Sequence, residues 1–212
     1  MRIGLLGGTF NPIHNGHLQI AEKVLSQLKL DRVFFIPTGK SPHKQGQDTA
    51  SECHRRNMIS LALTGHPHFV LCDIEIKSAD VSYTVDTISA LKQKNPEDTF
   101  FFIIGTDAFS KLSEWKEPER LLSLCHFVVV PRAGAPFSKK SEIGLTFLQI
   151  PLVRVSGSQI RARIKEKKSV NALLPQTVLS YIMKRGIYAK AEEENGKLNC
   201  RGRRGAPFLK RS

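Results

Sequence analysis

The chain has 212 residues, 41% of them hydrophobic and 24% charged, which suits one domain with a small appendage and excludes collagen, coiled coil and wholesale disorder. Its 32 Lys and Arg outnumber 19 Asp and Glu, a formal charge of +13, which points to an anionic partner: nucleic acid, an acidic membrane or a phosphorylated small molecule. No apolar run approaches the roughly 18 residues that span a bilayer.

Taken in chain order, Arg2–Leu6 reads as a strand. Gly16–Leu28 reads as a helix, with Leu18, Ala21, Val24, Leu25 and Leu28 on one face. Val33–Ile36 is a second strand, stopped by Pro37. Residues 37–50 are rich in Gly, Pro, Ser, Gln and Lys and read as a long loop. Ser51 can cap a helix running to about Thr64. Phe69–Ile76 is a third strand, and a helix from about Thr84 to Lys94 ends at Asn95-Pro96. Thr99–Ile104 is uninterrupted and apolar after its first residue, so it is expected at the centre of a sheet. Short helices fit 107–112 and 117–124, strands Phe127–Val130 and Thr146–Ile150, and helices 157–167 and 175–185.

This alternation predicts an α/β fold: a Rossmann-like, doubly wound parallel sheet with helices on both faces and a C-terminal helical segment. Residues 1–189 form the expected domain. Residues 190–212, with charge runs, Gly and Pro but little apolar periodicity, read as a basic, disordered tail. Much of the positive charge is local to that tail and to residues 154–168. The four cysteines make no C-x-x-C pair, and Gly7, Gly8, Asn11, Pro12 and His14 break any apolar signal segment. Reduced thiols in a cytoplasmic protein are therefore expected, with Cys72 and Cys125 in the core. His66, His68, Cys53 and His54 match no zinc spacing.

The most informative segment lies between the first strand and the first helix: Gly7-Gly8-Thr9-Phe10-Asn11-Pro12-Ile13-His14-Asn15-Gly16-His17-Leu18. In open α/β sheets ligands bind at the C-terminal ends of the strands. A glycine pair there lets a phosphate or sugar approach the backbone. A helix N-terminus offers unpaired N–H groups and the positive end of its dipole. His14 and His17, three residues apart around that terminus, can donate to one anion. Neither G-x-G-x-x-G nor a P-loop is present.

The whole string resembles the signature of the nucleotidyltransferase superfamily whose hallmark is His-x-Gly-His. Its second hallmark, Ile-Ser-x-x-x-Ile-Arg, is matched late in the chain by Val155-Ser156-Gly157-Ser158-Gln159-Ile160-Arg161. Asn11 stands where many members carry Asp. Several intervening segments resemble the bacterial nicotinate-nucleotide adenylyltransferases: Pro37 through His43-Lys44, Arg55-Arg56-Asn57-Met58, Ser82-Tyr83-Thr84, Gly105-Thr106-Asp107, Trp115, and the closing stretch Pro175 through Tyr188. The resemblance covers residues 1–188. It implies transfer of the adenylyl group of ATP to nicotinate mononucleotide, giving nicotinate adenine dinucleotide and pyrophosphate.

By that resemblance Gly8, Thr9 and Phe10 present backbone to the adenylyl group. His17 contacts the α-phosphate and His14 the phosphate region, Ser156 and Arg161 hold the β- and γ-phosphates, and Gly105 and Asp107 face the adenosine. His14, His17 and Arg161 form the catalytic set. Ser158 is expected as an N-cap, with phosphate contact as the alternative. For the mononucleotide, Trp115 offers a ring for stacking, or alternatively a core anchor. Thr84 offers a backbone N–H to the nicotinate carboxylate, or a plain N-cap. Tyr83 shapes that pocket or fills core, and Lys44 and Arg132 are the candidates for its phosphate. Mg²⁺ is expected on the ATP phosphates, with no protein metal site. ATP and nicotinate mononucleotide are the expected partners, with no membrane and no nucleic acid. Oligomeric state is left open, a homo-oligomer included.

The chemistry fits the residues independently. A phosphomonoester carries about −1.5 to −2 charge at pH 7 and needs no general base. Its difficulty is attacking another anion, so catalysis reduces to positioning and charge stabilisation. A sister transferase acting on phosphopantetheine shares His-x-Gly-His but lacks the Ser-Tyr-Thr turn and the tryptophan segment. A basic nucleic-acid-binding protein would need a stacking platform, and aromatics are only 8%.

Overall fold

The computed structural model describes residues 1–39, 49–78, 81–131, 144–151 and 155–189. The parallel strands β1 (Arg2–Gly8), β2 (Arg32–Pro37), β3 (Phe69–Leu71), β4 (Thr99–Gly105), β5 (His126–Val130) and β6 (Leu145–Phe147) form one sheet in the order β3-β2-β1-β4-β5-β6. The order reverses between β1 and β4, which pair from Arg2 with Thr99 to Leu6 with Ile103. That reversal opens a crevice at the C-terminal ends of these two strands. The expected Rossmann-like, doubly wound sheet is what the chain forms.

Period-two alternation assigns each strand side chain to one face. Leu6, Val33, Phe35, Phe101, Ile103, Val128 and Val130 point to one core. Helices α1 (Asn15–Gln27), α2 (Glu52–Ala62), α6 (Gly157–Lys165) and α7 (Gln176–Arg185) cover it with Ala21, Val24, Met58, Ile160, Val178 and Ile182. Ile3, Leu5, Phe34, Phe100, Phe102, Phe127 and Val129 point the other way. There α3 (Thr84–Lys94) and α5 (Pro118–Leu124) bury Val85, Ile88, Leu91 and Leu121 against them. No described helix is long and apolar enough to cross a membrane.

Three elements differ from expectation. β3 stops at Leu71, not Ile76. Cys72 N–H still bonds Phe35 O at 2.9 Å, but the chain then turns, with Lys77 N–H on Asp73 O at 3.1 Å. Asp73 also takes Lys77 Nζ at 3.0 Å and Arg56 Nε at 3.4 Å, so its charge is satisfied in a turn rather than on a sheet face. β6 is shifted to Leu145–Phe147, and Leu148 N–H closes its end on Val129 O at 3.0 Å. Residues 107–112 divide into the short helix α4 (Thr106–Phe109) and a 3-10 turn, Leu112–Glu114. Cys72 and Cys125 are buried free thiols. The expectation for Cys200 lies outside the described residues.

Candidate active site

The turn after β1 is compact. Phe10 is buried at a left-handed φ of 48°, and the Asn11–Pro12 peptide is cis. His14 is the N-cap of α1, and its backbone N–H donates to His17 Nδ1 at 3.2 Å. The two imidazoles stack with centroids 3.7 Å apart, and Phe10 meets His17 at 4.8 Å, edge to face. Because Nδ1 accepts, neutral His17 carries its proton on Nε2 and presents a donor there. This turns a histidine into a fixed N–H donor beside the helix N-terminus, where an anion is favoured.

The second hallmark segment reaches the same turn from the other end of the chain. A Cβ on Gly157 would lie 2.7 Å from Asn11 O, so only glycine lets the start of α6 dock there. Arg161, one helical turn on, donates from Nη1 to Asn11 O at 2.8 Å. Its Nε is buried without a hydrogen-bond partner among the described residues. The N-cap of α6 is Ser156, whose Oγ accepts from Gln159 N–H at 3.3 Å. This corrects the expectation that Ser158 is the cap. Ser158 instead sits inside the first turn with its Oγ 3.3 Å from Ser156 Oγ. The helix start thus gathers two hydroxyls and a guanidinium beside the histidines.

At the end of β4, Gly105 caps α4 and Asp107 lies exposed in its first turn. On the far side of the crevice the N-cap of α3 is Tyr83, and Thr84 is the first helical residue. The plain N-cap reading of Thr84 therefore gives way, and its N–H belongs to the first-turn amides that lack partners within a helix. Tyr83 is exposed rather than core, with Lys116 Nζ 4.6 Å from its ring centroid. Lys116 also bonds Asp86 at 3.0 Å, which ties the tryptophan segment to α3. Trp115 is anchored edge-on to Phe102 at 6.0 Å while still lining the cavity.

A cleft of about 1020 Å³ unites these groups. Gly8, Thr9, Phe10, His14 and His17 line its floor, and Ser156, Ser158 and Arg161 the end formed by the start of α6. Gly105 and Asp107 line it at β4, and Tyr83, Thr84 and Trp115 at α3. Lys44 and Arg132 lie outside the described residues, as does the tail 190–212.

Three residues without an expected role prove to build the site. Arg55 is 3% exposed and donates from Nη1 to Thr9 O at 2.9 Å and Thr38 O at 2.8 Å, bracing the turn against the end of β2. Burial lowers its pKa, against the opposing pull of Glu52, Tyr188 and Glu75. Its place was legible: Arg55, Met58, Ile59 and Ala62 are spaced as one buried helical face. Asn11 Oδ1 accepts from Ala50 N–H at 3.0 Å and Tyr188 Oη at 2.6 Å. Glu75 lines the cleft from the turn after β3. A continuous strand through Ile76 left no reason to expect it there.

The zinc-like histidines are otherwise engaged. His54 Nδ1 is 2.9 Å from Tyr181 Oη, and His66 faces Glu22 at 3.6 Å. No group of three His, Cys, Asp or Glu among the described residues could hold a metal ion.

Comparison with known proteins places residues 5–163 in the family model described as cytidylyltransferase-like. The nicotinate-nucleotide adenylyltransferase of Bacillus subtilis is 42% identical over 187 residues, covering 88% of this chain and 98% of its own. A probable nicotinate-nucleotide adenylyltransferase of Synechococcus is 38% identical, with 88% and 94% covered. Among solved structures, the Plasmodium falciparum nicotinic acid mononucleotide adenylyltransferase complexed with NaAD superposes with a TM-score of 0.76. It is 20% identical, with 88% of this chain and 97% of that one covered. At that identity the likeness concerns the fold.

Proposed function

The chain belongs to the cytidylyltransferase-like family and to its nicotinate-nucleotide adenylyltransferases, and we propose that it joins ATP and nicotinate mononucleotide to give nicotinate adenine dinucleotide and pyrophosphate. The observation that carries this reading is the convergence of both hallmark segments and the Tyr83–Thr84 and Trp115 wall on one cleft.

In the proposed reaction a phosphate oxygen of the mononucleotide attacks the α-phosphorus of ATP in line, and the bond to pyrophosphate breaks. No covalent intermediate is needed, since the acceptor phosphate is itself the nucleophile. Backbone of Gly8, Thr9 and Phe10 receives the adenylyl group, and Gly105 and Asp107 face the adenosine. His17 Nε2–H donates to the α-phosphate, with His14 beside it. Ser156 and Arg161 hold the leaving pyrophosphate, and the start of α6 favours its charge. The task of these groups is to stabilise charge that grows as the bond breaks.

Thr84 N–H and Trp115 receive the nicotinate ring and its carboxylate, with Tyr83 at the rim. Lys44 and Arg132 are the candidates for the mononucleotide phosphate. Among the described residues, the phosphate-facing end offers imidazoles, hydroxyls and a guanidinium but no carboxylate. Mg²⁺ would therefore be carried by phosphate oxygens, where it supplies charge neutralisation. Pyrophosphate release with ATP and Mg²⁺ tests the reading, comparing nicotinate mononucleotide, nicotinamide mononucleotide and phosphopantetheine. Strong preference for the nicotinate form is expected. Turnover with phosphopantetheine alone would discard the pyridine assignment.

A further inference from the structure

One carboxyl in the cleft is used by none of these roles. Glu75 is half-buried in the turn between β3 and α3, and it lines the acceptor side. Its Oε1 accepts from Thr87 Oγ1 at 2.9 Å, and the carboxyl also takes the backbone N–H of Gly39. Thr87 Oγ1 in turn lies 3.2 Å from the carbonyl of Tyr83, the N-cap of α3. One side chain therefore joins the exit of β2 to the first turn of α3.

The approach is tight. A Cβ at position 39 would lie 2.4 Å from Glu75 O and 3.1 Å from Ser82 Oγ, so the exit of β2 packs backbone against backbone here. No ion pair within the described residues neutralises the carboxyl. Burial raises its pKa, opposed by the Thr87 and Gly39 hydrogen bonds and by the charge of Arg55. A carboxyl withdrawn from water without an ion pair is costly unless hydrogen bonds compensate. These two bonds are what the site offers, and both end on segments that frame the acceptor pocket.

We infer that Glu75 is a positioning residue for the acceptor half of the site. By clamping Gly39 and Thr87 together it sets the first turn of α3, and with it Thr84 N–H, at a fixed distance from the end of β2. The inference rests on the acceptor assignment made above. It predicts a split between the two substrates, because among the described residues Glu75 hydrogen-bonds Thr87 and Gly39 and none of the ATP-side groups on β1, β4 and α6.

The test compares Glu75→Ala and Glu75→Gln with wild type in steady-state kinetics for both substrates, and in amide hydrogen exchange of residues 84–88. Glu75→Ala is expected to raise the KM for nicotinate mononucleotide about tenfold, the scale of one lost buried hydrogen bond to a charged group. The KM for ATP should stay within about twofold, and exchange at the start of α3 should quicken. Glu75→Gln keeps one acceptor oxygen, enough for the Thr87 hydroxyl, and should recover part of the loss. An unchanged acceptor KM, an equal rise for both substrates, or a Gln variant as impaired as Ala would overturn the inference. Should Glu75→Ala not fold, Thr87→Val removes the other end of the same bond and is read the same way. If wild type used no pyridine mononucleotide, the acceptor assignment would fall, and unchanged exchange in Glu75→Ala would still overturn the clamp.

Discussion

Tyr188 Oη donates to Asn11 Oδ1 at 2.6 Å, across 177 positions of sequence. The same Asn11 oxygen takes Ala50 N–H, and the Asn11 carbonyl takes Arg161. The turn that carries both histidines is thus held by the entry to α2, by α6 and by the chain after α7. Burial raises the Tyr188 pKa despite the nearby charges of Arg161 and Arg55, so its proton stays available for this bond. Tyr188→Phe should cost about 1 kcal/mol, the net worth of one hydrogen bond. Urea unfolding measures it, and an unchanged midpoint at constant slope would refute the latch.

His17→Ala should leave the fold intact by circular dichroism. It should lower kcat about 100-fold, as loss of a transition-state donor does. A near-wild-type kcat would reject the placement of His17 Nε2–H on the α-phosphate.

Gly157→Ala puts a methyl 2.7 Å from Asn11 O. The start of α6 must move outward, which is expected to cost about 1–3 kcal/mol, as in other overpacked sites. Arg161 loses its seat, so the KM for ATP should rise more than that for the acceptor. Thermal unfolding with two-substrate kinetics checks both parts. A stable variant with normal ATP use would show that α6 can approach without glycine.

Trp115→Ala should raise the acceptor KM and leave that for ATP nearly unchanged. Some stability will also go, because the ring is an edge contact of Phe102. Equal effects on both substrates would leave Trp115 as a core anchor alone.

Burial pushes the Cys125 thiol up to about 12. The folded state therefore holds its proton at pH values where the unfolded thiol loses it. The stabilisation is complete below the ordinary thiol range and is lost as pH rises from there towards 12. Melting temperatures at pH 8 and pH 10.5 should fall less in Cys125→Ala than in wild type. Parallel decline in the two proteins would contradict the linkage.

Much of this molecule is written in local sequence. Leu18, Ala21 and Val24 announce a helix face, and the unbroken run Phe100–Ile104 announces a strand covered on both sides. The two hallmark segments marked one end of the cleft, because glycines, histidines and a helix start act through the residues beside them. Arg55 was readable too, once its spacing with Met58 and Ile59 is taken as a buried face.

Other features were settled only by tertiary structure. Glu75 sat in what read as a strand, and Asp73 broke that strand through ion pairs with Arg56 and Lys77. Ser156 rather than Ser158 became the cap, because Gly157 must meet Asn11. Which carbonyls Arg55 braces depends on β1 and β2 lying side by side, and which oxygen Tyr188 reaches depends on α7 packing against α2. Short-range preference selects strand, helix and turn within a few residues. A hydrogen bond spanning 46 or 177 residues exists only after the sheet has chosen its strand order.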